Sequence, residues 1–213
     1  MKASVEFQSS GRTADAKNPE SADGKVTAVV EDGPEGLRVF WSRTLIEKVD
    51  EERRIQARDP EKPSARGAAM DELNASRVNS YLNAAPDLLG RLEEAQFVEE
   101  KADTWDNQPV RRLTYKVTPR LDERSRKIIK EIDATVRVWV GAEGLPVAAE
   151  NRLHLKGRAM LVITFESTET EMFRFRHTGN RLVIVQDIKE SSGSGGGESH
   201  HEKTIANVTP IDG

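Results

Sequence analysis

Few residues in this chain stand in a pattern that could do chemistry. The densest group is "KESSGSGGGESHHEK", residues 189–203, a glycine-rich run followed by the adjacent pair His200 and His201. A phosphate cradle needs a glycine-rich turn carrying Gly-Lys-Ser/Thr and opening into a helix whose N-terminal amides face the anion. This run has no such lysine, and the following "KTIANVTPI" is β-branched and strand-like. Adjacent histidines on a strand point to opposite faces, so His200 and His201 cannot chelate one ion between them. The segment reads as a flexible Gly/Ser-rich loop at about 190–202 joining two strands.

The remaining titratable residues read the same way. His154 alternates with Leu153 and Leu155, which places it on the polar face of a strand, and His177 stands at a strand end. No nucleophile elbow, HExxH or triad spacing accompanies them. The acidic runs "VDEERR" and "LDERSRK" interleave with arginines at helical spacing and read as solvated helix faces. The chain has no cysteine, which excludes thiolate metal sites, cysteine nucleophiles and disulfides. The expectation is therefore no enzyme, no catalytic residue, no metal and no cofactor. The net charge of −4 is spread along the chain without a basic stripe, so nucleic acid is not an expected partner. No apolar run is long enough to cross a bilayer as a helix.

These side chains must be positioned by regular elements, and the periodicities are clear. Strands are predicted over 2–10, 25–32 and 37–41, the last with Val39 and Trp41 on one face. Ser42 caps a helix over 43–59 that ends before Pro60 and Pro63. Helices follow over 65–78 and from about Pro86 to Ala95, then a hairpin over 96–117 turning at Asp106 and Asn107. A short helix over 121–133 carries Ile128, Ile129 and Ile132 as its apolar stripe. The last third alternates as strands over 134–140, 147–155, 158–167, 171–177, 180–188 and 203–211, with 158–167 apolar on both faces and so read as central. Trp139 opposes the Val136/Val138/Val140 face. It is core only if both faces of the sheet are covered there; exposed, it would mark a partner surface.

The most specific stretch is "VWVGAEGLPVAAE", residues 138–150: a strand, a tight turn with Gly-Leu-Pro, and a returning strand. It resembles a hairpin of the bacterial periplasmic lipoprotein-carrier family and its relatives, the LolA-like fold. "RLHLKGRAMLVITFES" and "GNRLVIVQD" resemble that family's late strands, and the match is clearest over 134–188. The chain differs in opening with a strand where the family opens with a helix.

The resemblance implies an α+β protein, a single domain over 1–213. A large curved antiparallel β-sheet would form an open half-barrel with helices packed on its concave face. It further implies a non-enzymatic envelope protein that binds lipid, acyl chains or another amphiphile, including a lipoprotein's acyl chains, in an apolar cavity between sheet and helices. On this reading the location is the periplasm, with a signal peptide removed; composition leaves a cytoplasmic location open. The apolar positions that alternation places toward the cavity are Val39, Trp41, Val136, Val138, Leu153, Leu155, Ile163, Phe165, Phe173, Phe175, Leu182 and Ile184. The alternative is a protein–protein interaction or scaffold module whose core is filled and takes no small ligand.

Overall fold

The structure is a computed structural model that describes residues 1–14, 19–119, 121–159 and 163–211. Three strands open the chain: β1 (Lys2–Ala14), β2 (Pro19–Gly33) and β3 (Gly36–Trp41). Four helices follow: α1 (Arg43–Arg58), α2 (Ala65–Glu72), α3 (Ala75–Leu82) and α4 (Ala85–Glu93). The hairpin β4 (Ala95–Trp105) and β5 (Gln108–Val117) leads to α5 (Glu123–Ile128). The chain ends on β6 (Ile129–Val140), β7 (Pro146–Ala159), β8 (Ile163–Thr178), β9 (Arg181–Gly195) and β10 (Glu198–Pro210).

All ten strands belong to one antiparallel sheet in the order β3-β2-β1-β10-β9-β8-β7-β6-β5-β4. It is two meanders, β1–β3 and β4–β10, joined where the first strand pairs with the last from Ala3↔Pro210 to Ala14↔Ser199. The sheet is not closed; β3 and β4 are its edges. Tight turns set the register. Asp106 and Asn107 both adopt positive φ (48° and 61°), which gives the β4–β5 hairpin a two-residue turn whose twist matches the strands.

The strand registers place residues in rows across the face that meets the helices. One row is Val26–Phe7–Ala206–Asp187–Phe173–Ala149–Val138–Leu113. Ala69 of α2, Leu73 just after it, and Val78, Tyr81 and Leu82 of α3 complete one core cluster with this face. The next row is Gly24–Ser9–Thr204–Lys189–Glu171–Asn151–Val136–Tyr115. It is polar from Ser9 to Asn151, so the dense core thins there, while Val136 and Tyr115 remain part of it. The approach of α2 to β2 is close: a Cβ on Gly24 would stand 2.2 Å from the carbonyl oxygen of Ala65.

The reverse face carries a smaller cluster of Val110, Trp139 and Ala148, flanked by Trp105, Val147 and Met172. Trp139 is buried because Trp105 lies 5.3 Å from it, ring to ring, and its indole N–H donates to Asp103 at 3.0 Å. Arg174 stacks over Trp105 at 5.7 Å and pairs with Asp106 at 2.8 Å. Trp105 and Asp103 of the β4–β5 hairpin thus help to bury Trp139.

Four readings of the sequence change. The helix expected over 65–78 is two, α2 and α3, separated at Leu73 and Asn74, where Asn74 caps α3 by accepting from the Arg77 amide at 3.0 Å. The helix expected over 121–133 ends at Ile128, and Ile129 and Ile132 belong to β6, paired with Gly157 and Leu155. Residues 158–167 are not one central strand. β7 ends at Ala159 and β8 begins at Ile163, so the stretch is a strand junction, with Met160, Leu161 and Val162 outside the described residues. Ile163, at the start of β8, is 39% exposed.

The Gly/Ser-rich segment also differs from a loop. Residues 190–195 continue β9, 198–202 begin β10, and only Gly196 and Gly197, both at positive φ, make the turn. The glycines admit rings from neighbouring strands. The His200 ring lies over Gly193, where a Cβ would come within 2.3 Å of it, and the Phe165 ring lies over Gly157. An aromatic ring seated on a cross-strand glycine restores the packing that glycine lacks.

Candidate functional site

The site lies where the apolar row gives way to the polar one, beneath α3 and α4. A cavity of about 260 Å³ opens there. Its apolar walls are Ala149, Phe173, Phe175 and Ile184 from the sheet and Leu88 from α4. Its polar lining includes Asn151, Glu171, Asp187 and Lys189 from the sheet, with Arg77, Asp87 and Arg91 from the helices. A second, more open cavity of about 650 Å³ lies on the other side of α4, lined by Val136, Leu153, Ala134, Val117 and Pro86 among others. Asp87, Arg91, Asn151 and Glu171 line both cavities, which makes them two parts of one groove under α4.

α4 packs on the core through Ala85, Leu88 and Leu92, all only partly buried. None of its residues is buried, and Leu89 is 60% exposed. Its start is fixed, because the Ala84 amide donates to the Leu182 carbonyl at 2.8 Å and Ala84 is buried. Pro86 near the first turn fits a helix N-terminus.

The centre of the site is Asp187, which is 2% exposed and sits between Ala206 and Phe173 in the apolar row. A β-bulge puts it there. Phe173 and Phe175 on β8 face Asp187 and Ile184 on β9, so β9 spends an additional residue between the two pairs. The Tyr81 hydroxyl donates to Asp187 Oδ2 at 3.0 Å, and the Arg77 guanidinium donates to the Tyr81 oxygen at 2.7 Å and stands 3.5 Å from Oδ2. Arg77 also lies 4.9 Å over the Phe7 ring and pairs with Glu72 at 2.9 Å. Asp187 Oδ1 is buried with no hydrogen-bond partner among the described residues.

These surroundings shift the groups. Burial, and then the charge of Glu171, raise the Asp187 carboxyl from the ordinary 3.8 to about 6, against the opposing pull of Arg77 and Tyr81. Burial, and then the Asp187 charge, push the Tyr81 phenol far above its usual range, so it remains a donor. Burial works against the charge of Arg77, but Tyr81, Asp187 and Glu72 outweigh it and hold the guanidinium protonated.

The twelve apolar positions named from the sequence do not form one cavity. Phe173, Phe175 and Ile184 line the inner cavity, and Val136 and Leu153 the outer one. Val138 and Leu182 are in the packed core, with Val39 and Trp41 against it. Phe165 lines a separate surface pocket near the Gly196–Gly197 turn. Leu155 stands between Ile132 and Ser167, further along the strands. The polar partners, Asp187 above all, were missed, because strict alternation along "NRLVIVQDI" turns Asp187 away from Leu182 and Ile184. The only sequence signal is an acidic residue inside an apolar strand.

The histidines stand apart from the site. His154 pairs with Glu166 at 2.9 Å, and His200 and His201 are successive strand residues. Among the described residues no group of three or more histidine, aspartate or glutamate side chains is placed to hold a metal ion. No helix among them is long and apolar enough to cross a membrane. Scans against protein-family models, curated proteins and solved structures each find no match.

Proposed function

We propose that the protein is a non-enzymatic binding protein for an amphiphile, whose apolar part lies in the groove under α4. On this reading the sheet is an open half-barrel with the helices against its concave face, α4 moves to admit the ligand, and the location is the cell envelope. The observation that carries it is the pair of adjoining cavities on the two sides of α4, with apolar walls and charged groups where they meet. Pockets of a few hundred Å³ with apolar walls and few polar groups are the usual form of small-ligand sites. The loosely held α4 gives such a ligand a way in.

A scaffold with a filled core is the second reading, and one observation favours it. Part of the face under α2 and α3 is closely packed, with Val5, Phe7, Val78, Leu73 and Leu82 at most 1% exposed. The two cavities described above adjoin α4 on the same face.

The test is displacement of the neutral dye Nile red by 1-octanol, in the wild type and in Leu88→Trp. Leu88 is partly buried and lines the inner cavity, which the larger indole narrows. The expected result is saturable displacement from the wild type and weakening of about tenfold in the variant. A wild type that binds neither dye nor 1-octanol would favour the scaffold.

A further inference from the structure

We propose that the inner cavity selects amphiphiles with a protonated amine or guanidinium head, held by the free oxygen of Asp187. This rests on the amphiphile reading and adds the chemical class of the head group.

The first support is the unused acceptor. Asp187 is almost wholly buried, Oδ2 is taken by Tyr81 and faced by Arg77, and Oδ1 has no donor among the described residues. A buried carboxylate oxygen without a donor is costly to keep, and an ammonium brings three N–H groups and a compensating charge. A hydroxyl head would supply a donor but leave the charge unmet.

The second support is the balance of the other charges at the cavity. Each cation there is already engaged: Arg77 by Glu72 and Tyr81, Lys189 by Glu169 at 3.1 Å, and Arg91 by Glu171 at 3.6 Å. Asp87 has no ion-pair or hydrogen-bond partner among the described residues. The uncommitted groups are therefore acidic, and an anionic head would meet carboxylates rather than free cations. The raised Asp187 pKa, caused by burial and then by Glu171, agrees that the place is short of positive charge.

The third support is an internal stand-in. The Arg91 guanidinium lies 5.8 Å over the Phe173 ring, and Phe173 stacks on Phe175 with ring centres 6.2 Å apart. A cation over a partly desolvated aromatic face is attracted to it. Arg91 is about half exposed and its ion pair with Glu171 is long, so a ligand cation can replace it on this wall as α4 lifts.

The test is isothermal titration with n-octylammonium, n-octanoate and 1-octanol at about pH 8 and about pH 5, around the Asp187 transition near 6. The wild type should bind n-octylammonium most tightly at the higher pH. Asp187→Asn should weaken n-octylammonium by about tenfold or more while leaving 1-octanol within about twofold. The wild-type preference for n-octylammonium should fall at the lower pH, and Asp187→Asn should abolish that dependence. The charged and titratable groups facing Asp187 in this range are Arg77 and Tyr81 on α3, Asp87 and Arg91 on α4, Glu171 on β8 and Lys189 on β9.

Unchanged 1-octanol binding shows that the variant is folded. If Asp187→Asn does not fold, Asp87→Asn and Glu171→Gln should each weaken n-octylammonium relative to 1-octanol. Equal or tighter binding of n-octanoate, or n-octylammonium binding indifferent to these carboxylates, overturns the proposal and leaves the amphiphile reading standing. Binding of none of the three probes overturns both.

Discussion

Replacing Asp187 by Asn should make the protein more stable at neutral and alkaline pH, although it removes a buried partner of Arg77. Asp187 is 2% exposed and titrates at about 6 in the fold against the ordinary 3.8. The fold therefore binds this proton more tightly than the unfolded chain does, and stability falls as pH rises from about 4 through about 6. The full difference corresponds to roughly 3 kcal/mol, of which about 2 kcal/mol falls between pH 4.5 and pH 8. Asparagine keeps an acceptor for the Tyr81 hydroxyl and carries no charge, so it imitates the protonated carboxyl throughout. Arg77 retains Glu72 and the Tyr81 oxygen. Urea unfolding of wild type and variant at the two pH values gives the answer as a double difference. That form cancels Glu6, Glu31, Asp103 and Glu190, whose lowered pKa values give stability that is lost as pH falls. The variant should gain about 2 kcal/mol on the wild type between pH 4.5 and pH 8. A double difference of zero, or one favouring the wild type at pH 8, would show that the Asp187 charge is well compensated and that the site has no shortage of positive charge.

Three further outcomes follow from the packing. Val138→Asp puts an unpaired charge at a 3% exposed core position and should cost several kcal/mol, read as loss of the cooperative thermal transition; Leu155→Asp, at a half-buried position outside the core cluster, should cost much less. Gly157→Ala forces a Cβ to 2.6 Å from the Ile128 carbonyl and against Phe165, so a drop in melting temperature of several degrees is expected, about the effect of 1–3 kcal/mol. Gly193→Ala meets only the end of the His200 side chain, which can swing away, and should leave the melting temperature nearly unchanged.

The antiparallel meanders were legible because period-two alternation is strong where one face is buried. Val26, Ala28 and Val30 mark it in β2, and Val136, Val138 and Val140 in β6. The β4–β5 turn and the start of α1 were legible from local chemistry, the first at Asp106–Asn107 and the second at Ser42, whose hydroxyl accepts from the Leu45 amide. Composition misled where tertiary pairing overrode it. Glycine and serine in 190–202 suggested a loop, but strand pairing with β8 and β1 holds the segment as a hairpin. Ile129 and Ile132 fitted a helical stripe equally well, and pairing with β7 took them into a strand.

The site itself was the least legible part. Its apolar walls were named, because Phe173, Phe175 and Ile184 follow the alternation. Its chemistry was not, because a bulge moves Asp187 onto the core face and no local residue pattern announces that bulge. The partners Arg77, Tyr81 and Arg91 come from helices whose packing cannot be read from periodicity alone.

The most direct test of the amphiphile site under α4 is an amide and methyl NMR titration of the wild type with n-octylammonium. Saturable shifts at Leu88, Asn151, Phe173 and Ile184, with the Trp105–Trp139 cluster on the reverse face unmoved, are the expected result. Shifts centred on Trp105 and Trp139, or no saturable shift anywhere, would contradict the account.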